Sequence, residues 1–176
     1  MKKMLCVGAA LWLSLTGARA MAVDGVAVEV GSGDGTDMGR IALQWNWKKP
    51  LYQGAGWNVG AYWDLGLGYW NNDGFPGRNK DITEIGLTPV MRLQRDDLKG
   101  LYGELGLGMH LQSRTTIGDK RMGTLFQFGS HLGVGYRFGV KRAFDLSYRY
   151  QHLSNAGINR PNDGINFNQV RLQYHF

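Results

Sequence analysis

The sequence has almost no cysteine. Cys6 is the only one in 176 residues, and it lies within the first twenty. The remainder of the chain therefore has no thiolate for catalysis or metal binding and no pair of thiols for a disulfide. Cysteine-based chemistry is excluded for residues 21–176.

Long apolar runs are also missing once the N-terminal segment is set aside. After residue 20 no stretch reaches the ~20 consecutive apolar residues that a membrane-spanning helix needs. The N-terminal segment has the pattern of a secretory signal peptide, because Lys2 and Lys3 precede an apolar run and Ala18–Ala20 carries small residues at a cleavage position. We assign residues 1–20 to the signal peptide and 21–176 to the mature domain. Ala20–Ala22 offers a second cleavage position, after residue 22.

Positive charge is too weak to indicate a nucleic-acid partner. The formal net charge of +6 falls to about +3 when Lys2, Lys3 and Arg19 leave with the signal peptide. Domains that bind nucleic acid usually carry a concentrated basic stripe. We therefore predict no nucleic-acid binding.

Glycine and aromatic residues are abundant, with 27 glycines and 12% aromatics. They follow a two-residue period, which is the period of a β-strand. In the segment 124–138 one face is mostly apolar and the other is small or polar. The apolar face includes Phe126, Phe128, Leu132, Val134, Tyr136 and Phe138, and the other face includes Gln127, Gly129, His131, Gly133, Gly135 and Arg137.

This alternation occurs in eight segments, an even number as in bacterial outer-membrane barrels. The eight predicted strand segments are Val26–Val30, Ile41–Trp47, Trp57–Tyr69, Ile85–Leu93, Leu101–Leu111, Thr124–Phe138, Ala143–Ser154 and Ile165–Phe176. Pro89 lies within the fourth segment, where we expect a bulge or a local break because proline has no N–H to donate.

The connections between these segments predict the topology. Longer ones follow the odd-numbered strands, at Gly31–Asp37, Asn71–Asp81, Arg114–Met122 and Asn155–Gly164, and tighter ones lie near Lys49–Gly54, Asp96–Gly100 and Gly139–Lys141. Bacterial barrels have short periplasmic turns and longer outer loops. We therefore predict an all-β fold, an eight-stranded antiparallel transmembrane β-barrel with both termini in the periplasm.

A soluble, lipocalin-like barrel is the alternative fold. It would bury the apolar face and leave Asp64, Glu104 and Arg137 on the surface, whereas a membrane barrel points them into the lumen. The signal peptide and the loop asymmetry favour the membrane barrel. So does the final residue, Phe176, which resembles the C-terminal aromatic signal of outer-membrane proteins.

Polar residues interrupt the lipid-facing stripe near the outer end of the last two strands. His152 and Ser154 continue the face of Tyr148 and Tyr150, and Asn166 continues the apolar face that ends at Phe176. Residues two apart on a strand project the same way, and the last two strands form a hairpin. His152, Ser154 and Asn166 are thus expected to meet at the outer membrane interface.

This trio has two interpretations. A neutral imidazole beside a serine hydroxyl forms a base and a nucleophile, with a third group holding the imidazole tautomer. In the second interpretation the three side chains have no catalytic role, because polar side chains at strand ends commonly extend into the lipid headgroup layer.

The local sequence favours the catalytic interpretation. The segments His152–Ile158 and Pro161–Asn166 resemble the PagL-type lipid A 3-O-deacylases, and the resemblance is specific over about Tyr148–Phe176. It implies that Ser154 is the nucleophile and His152 the general base. It further implies that the Asn155 side chain and the Gly157 backbone N–H form the oxyanion hole.

The acid position departs from the family pattern. The resemblance implies a glutamate where this chain has Asn166, whose amide can accept a hydrogen bond from His152 but carries no charge. Asp163, in the preceding loop, is the alternative acid.

The resemblance implies ester hydrolysis at the 3-position of lipid A in the bacterial outer membrane, with lipopolysaccharide as substrate and no cofactor or metal. Basic loop residues are candidates for binding its phosphates, namely Arg78, Lys80, Arg114, Lys120, Arg121 and Arg160. Two other functions stay open: a non-catalytic barrel that anchors, adheres or protects, and an acyl transferase with lumenal catalytic groups.

Overall fold

The computed structural model describes residues 22–176, so the predicted signal peptide lies outside the described residues and its cleavage site stays a prediction. Eight long strands make up most of the described chain. They are β1 (Gly25–Gly33), β2 (Thr36–Asn46), β4 (Trp57–Asn72), β5 (Asp81–Arg95), β6 (Gly100–Gln112), β9 (Phe126–Phe138), β10 (Phe144–Ser154) and β11 (Ile165–His175). Three short strands lie in the connections: β3 (Tyr52–Gly54), β7 (Thr116–Ile117) and β8 (Lys120–Arg121). The one helical turn of this region is a 3₁₀ turn at Val140–Arg142.

The long strands close into a barrel. Each pairs antiparallel with its neighbour along the chain, and β1 pairs with both β2 and β11. Closure leaves no unpaired edge among the eight strands. The predicted eight-stranded antiparallel barrel is confirmed. None of the helical segments within residues 22–176 has the length and apolarity of a membrane-crossing helix.

The predicted orientation of the strand faces is also confirmed. On β9, Leu132 is 68% exposed whereas His131 is 8% exposed. The same alternation runs along the other strands, so apolar side chains cover the outer wall. A soluble lipocalin-like barrel has the reverse arrangement, and that alternative fold is therefore wrong.

The lumen is filled by buried ion pairs. Asp64 and Glu104 point inward as predicted, and each contacts two arginines. The network comprises the acids Glu29, Asp64, Glu104 and Asp145 and the bases Arg40, Arg92, Arg149 and Arg171. Four carboxylates therefore face four guanidinium groups, which compensates the cost of burying each charge.

Arg137 faces the same cavity as Arg92, as expected, but among the described residues it forms no ion pair with this network. It lies near the end of β9 and is only partly buried. Its Nε donates to the backbone oxygen of Arg142, 2.8 Å away. The four arginines of the network were missed by sequence reasoning.

The connections at the two ends of the barrel differ in length, as predicted, with two exceptions. The connection predicted to be tight near Lys49–Gly54 runs over residues 47–56 and contains the short strand β3. Residues 31–37 were expected to form an outer loop, but β1 and β2 continue through them and leave only Asp34 and Gly35 as a turn, both at positive φ. Asp-Gly is a favoured pair for the tight type I′ hairpin turn. Within the predicted loop Arg114–Met122, β7 and β8 form a small hairpin.

Pro89 breaks the hydrogen-bond ladder without producing a bulge. β5 is continuous, and its pairing with β6 runs from Leu87–Met109 to Val90–Gly106 with no change of register. The ladder is interrupted only at residues 88–89. The missing N–H of proline accounts for the interruption.

An apolar cluster lies beneath the outer ends of β10 and β11. Its members are Met38, Trp70, Ile82, Ile117, Met122, Leu153, Ile165 and Phe167, all buried. Leu153 separates His152 from Ser154, and Ile165 and Phe167 flank Asn166. Since neighbouring residues on a strand point to opposite faces, burying these three side chains holds the polar trio on the outer wall.

Candidate active site

His152 and Asn166 meet on the outer wall. They lie directly opposite each other in the β10–β11 ladder, and His152 Nδ1 is 2.8 Å from Asn166 Oδ1. An amide oxygen only accepts, so Nδ1 carries the proton and donates. Nε2 of the exposed ring then carries the lone pair that a general base needs.

Ser154 occupies the end of β10, two residues beyond His152 and on the same face. It is half-buried and lies opposite Phe128 of β9. Within residues 22–176 its hydroxyl has no hydrogen-bond partner, so it is not bonded to His152 in this conformation. The serine and the free Nε2 are thus one pleat apart, with neither engaged elsewhere.

Gly164 supports the histidine ring from the preceding loop. Its φ of +67° lies in the left-handed region that glycine adopts without strain. A Cβ at this position would lie 3.0 Å from Cε1 of His152 and 3.2 Å from the Leu153 carbonyl oxygen. Glycine is therefore required here both for the turn and for the close approach of the ring.

The loop after Ser154 is organised by Asn155, which is fully buried. Its Nδ2 donates to the carbonyl oxygens of Met122 and Asn159, each at 2.8 Å. Its Oδ1 accepts from the Gly157 N–H, also at 2.8 Å. Both groups predicted as oxyanion donors therefore already have acceptors within the protein.

Ala156, between those two residues, was not singled out by the sequence. Ala156 and Gly157 both have positive φ, at 54° and 80°. Among the described residues the Ala156 N–H has no acceptor, unlike the Asn155 and Gly157 N–H groups. Along the chain it is the first backbone N–H after Ser154 without an acceptor.

Asp163, the alternative acid, is engaged away from His152. Its Oδ2 accepts from the backbone N–H of Arg121 at 2.9 Å, and its own N–H donates to the Arg121 carbonyl oxygen at 3.0 Å. These bonds tie the 155–164 loop to β8. Of the two candidates, only Asn166 contacts the imidazole.

Asp34 was missed by sequence reasoning. Its Oδ2 accepts hydrogen bonds from the backbone N–H of Asn166 at 2.9 Å and from Asn166 Nδ2 at 3.2 Å. The residues are 132 positions apart, and no local pattern connects them. Barrel closure between β1 and β11 brings them together.

Three of the six basic loop residues pair with acids: Arg114 with Asp81, Lys120 with Asp34 and Arg121 with Asp163. Arg78, Lys80 and Arg160 form no ion pair in the described chain. These three cationic side chains, at the end of the barrel that carries the longer loops, are therefore available to bind an anion.

The lumenal histidines offer no metal centre. His110 points inward and its Nδ1 is hydrogen-bonded to Glu84, while His131 is buried on the inner face of β9. Across residues 22–176, no group of three or more His, Cys, Asp or Glu side chains is arranged to hold a metal ion.

Comparison with known proteins identifies relatives along nearly the whole chain. The family model described as Lipid A 3-O-deacylase (PagL) matches residues 37–175. Lipid A deacylase PagL of Pseudomonas aeruginosa is 32% identical over 166 residues, which cover 94% of each chain. Lipid A deacylase PagL of Bordetella bronchiseptica is 36% identical over 115 residues, or 64% of this chain and 61% of that protein.

Solved structures agree with these sequence matches. The crystal structure of the outer membrane enzyme PagL superposes with a TM-score of 0.76 at 26% identity, covering 86% of this chain and 99% of that one. Neisserial surface protein A shares the fold alone, with a TM-score of 0.56 at 14% identity over 86% of this chain and 94% of its own. From the family match and the relatives together, this chain belongs to the PagL family of lipid A 3-O-deacylases.

Proposed function

We propose that this protein is a serine esterase of the bacterial outer membrane that removes the ester-linked acyl chain from the 3-position of lipid A. The observation that carries the proposal is the His152–Asn166 hydrogen bond beside Ser154, on the lipid-facing wall. Family membership supports the activity, and the geometry supports the roles of the three residues.

The reaction proceeds in two halves. Ser154 Oγ attacks the acyl carbonyl carbon while His152 Nε2 takes the hydroxyl proton, and the tetrahedral intermediate expels the sugar 3-oxygen, which receives that proton. Water then attacks the acyl-enzyme with the same histidine as base, and the 3-hydroxy fatty acid leaves. Asn166 keeps the proton on Nδ1, so that Nε2 stays a base.

The 155–157 loop supplies the donors for the oxyanion. Asn155 and Gly157 are the donors that the resemblance implies, and each must give up a hydrogen bond that it makes in this structure. The free Ala156 N–H is available without such a loss. Preorganised N–H groups directed at the developing negative charge are usually the largest contribution to this kind of catalysis.

The exterior position of the trio suits a substrate that is itself part of the membrane. The lumen beneath is occupied by ion pairs and by the buried apolar cluster. Lipid A therefore reaches Ser154 laterally, within the outer leaflet. Arg78, Lys80 and Arg160 are the proposed partners of its phosphates, because arginine and lysine bind phosphate through charge-assisted hydrogen bonds.

Mass spectrometry of lipid A from cells with and without the protein tests this function. We expect lipid A to lose the mass of one 3-hydroxy acyl chain when the protein is present. An unchanged spectrum would mean a non-catalytic barrel, and a gain of one acyl chain would mean an acyl transferase. Cells carrying the empty vector provide the control.

A further inference from the structure

We propose that Asp34, in the β1–β2 turn, is a positioning residue of this active site. Its carboxylate holds the Asn166 amide in the orientation that serves His152 and supplies the negative charge that an amide lacks. The inference rests on the proposed deacylase function. It extends the site from three residues on two strands to a fourth on another hairpin.

The hydrogen bonds define the orientation of the amide. Asp34 Oδ2 accepts from both Asn166 N–H groups, the backbone one at 2.9 Å and the side-chain one at 3.2 Å. A carboxylate only accepts, so Asn166 must turn its NH₂ group toward Asp34. Its oxygen then faces His152 Nδ1, at 2.8 Å. Without Asp34, the amide would be free to flip and offer His152 an N–H group.

The charge matters during the reaction. His152 becomes an imidazolium as Ser154 loses its proton, and a nearby negative charge stabilises that cation. Asn166 is neutral, but its hydrogen bond to a carboxylate is charge-assisted and polarises the amide toward a more negative oxygen. The hydrogen bonds from His152 to Asn166 and from Asn166 to Asp34 thus transmit part of the electrostatic stabilisation by the carboxylate to the imidazolium.

The turn is built to bring the carboxylate to this position. Asp34 and Gly35 have φ values of 50° and 70°, as a tight hairpin turn requires. Gly33 precedes them, and a Cβ there would overlap the backbone carbonyl oxygen of Asn166. The absence of a side chain at residue 33 therefore allows the turn to approach the end of β11.

Lys120 of β8 lies on the other side of the carboxylate. Its Nζ is 3.8 Å from Asp34 Oδ1, and both side chains are about a quarter exposed, at 24% and 28%. This cation lies beside Oδ1, while Oδ2 accepts from Asn166. Partial exposure screens the carboxylate, so its effect on the rate is moderate.

The test measures kcat and KM of the full-length protein in detergent micelles containing lipid A. Asp34→Asn removes the charge and keeps the turn, since Asn-Gly is also favoured there. Asp34→Gly removes the side chain and tolerates the positive φ. Asp37→Asn, an exposed aspartate on the same hairpin, is the matched control. Heat-dependent mobility on gels verifies that each variant is a folded barrel.

We expect kcat to fall roughly 10-fold in Asp34→Asn and at least as much in Asp34→Gly, with KM unchanged, because losing a charge-assisted hydrogen bond in the transition state has about that effect. In an Asn166→Glu background, residue 166 carries its own charge, so Asp34→Asn should cause no loss or raise kcat. A purely structural Asp34 would instead cause the same loss in both backgrounds.

Two results would overturn the proposal. One is an Asp34→Asn variant with the kcat of Asp37→Asn, and the other is a loss of kcat that persists undiminished beside Asn166→Glu. Failure of the deacylase function itself has a different signature: wild-type protein would release no fatty acid, or Ser154→Ala would release as much as wild type.

Discussion

The lumen and the outer wall of this barrel use polar residues in opposite ways. Inside, four arginines and four carboxylates pair with one another and are almost completely shielded from solvent. Outside, the polar trio of His152, Ser154 and Asn166 contains no carboxylate and is at least partly exposed. The lumenal charges are paired with opposite charges, whereas Ser154 and one nitrogen of His152 have no partner among the described residues.

This difference follows from the surroundings of each surface. A buried charge is tolerated when opposite charges and hydrogen bonds surround it, and the lumen provides both. A charge on the lipid-facing wall is costly, and the cost falls toward the interface. Under the proposal for Asp34, the carboxylate of the site is located in the turn rather than on the wall, and a neutral amide connects it to His152.

The largest expected effect is on the outer wall. Ser154→Ala should lower deacylation by at least about 10³-fold, because removal of the proposed nucleophile eliminates the covalent route. The free energy of unfolding should not change, since the hydroxyl makes no hydrogen bond within the described chain. Fatty-acid release and urea unfolding in detergent measure the two quantities.

Ser130→Ala is the control for that experiment. Ser130 is exposed on β9, directly opposite His152 in the β9–β10 ladder, so it is a second serine next to the same imidazole. We expect it to leave the rate unchanged. If Ser130→Ala were inactive and Ser154→Ala active, the nucleophile would be Ser130.

A change in the lumen should lower the stability of the protein and leave the catalytic rate unchanged. Glu104 accepts from Arg92 Nη2 at 2.8 Å and from Arg149 Nε at 2.6 Å. Glu104→Gln would leave two buried guanidinium groups without their shared counter-charge, which costs about 3–5 kcal/mol. We expect the free energy of unfolding to fall by that amount, with the rate per folded molecule preserved.

Asp97→Asn is the matched control for the lumenal change. Asp97 is an exposed acid whose distance to Arg95 Nε is 4.0 Å. Exposed pairs contribute about 0–1 kcal/mol, so the unfolding free energy should barely move. If both variants were equally stable, the lumenal ion pairs would not be important for stability.

The smallest effect concerns the third member of the site. Asn166→Ala removes the acceptor for His152 Nδ1–H, and we expect a loss on the order of 10- to 100-fold, less than the ~10⁴-fold known for the wrong tautomer in a serine protease. Asp163→Ala tests the alternative acid on the same lipid substrate. If Asn166→Ala matched wild type and Asp163→Ala were inactive, the loop carboxylate would be the group that orients His152.

Sequence reasoning predicted the barrel well because a strand's two faces are recorded directly in alternate residues. The inward direction of Asp64 and the outward direction of Leu132 both followed from parity. It was less successful at the ends of strands. The abundance of Gly and Asp over residues 31–37 predicts a loop, but the two strands remain paired as far as Gly33 and Thr36.

At the candidate active site, strand alternation again predicted some features and not others. The outward position of His152 and its meeting with Asn166 followed from strand parity and from the hairpin that joins β10 to β11. The hydrogen bond from Asn155 to the Met122 carbonyl oxygen did not follow, because Met122 belongs to a different loop. Hydrogen bonds between loops depend on how the barrel ends pack, which alternation does not encode.

The sequence by itself therefore determined the strand count, the two faces of each strand and the wall on which the trio lies, because each depends on residues close together in the chain. Only the tertiary structure decided which arginine meets which acid across the lumen, and that Asp34 contacts Asn166. Both depend on closure of β1 against β11 and on the register of the whole barrel. The physical reason is that side chains opposite each other in a closed barrel are distant in sequence, so no local pattern specifies their pairing.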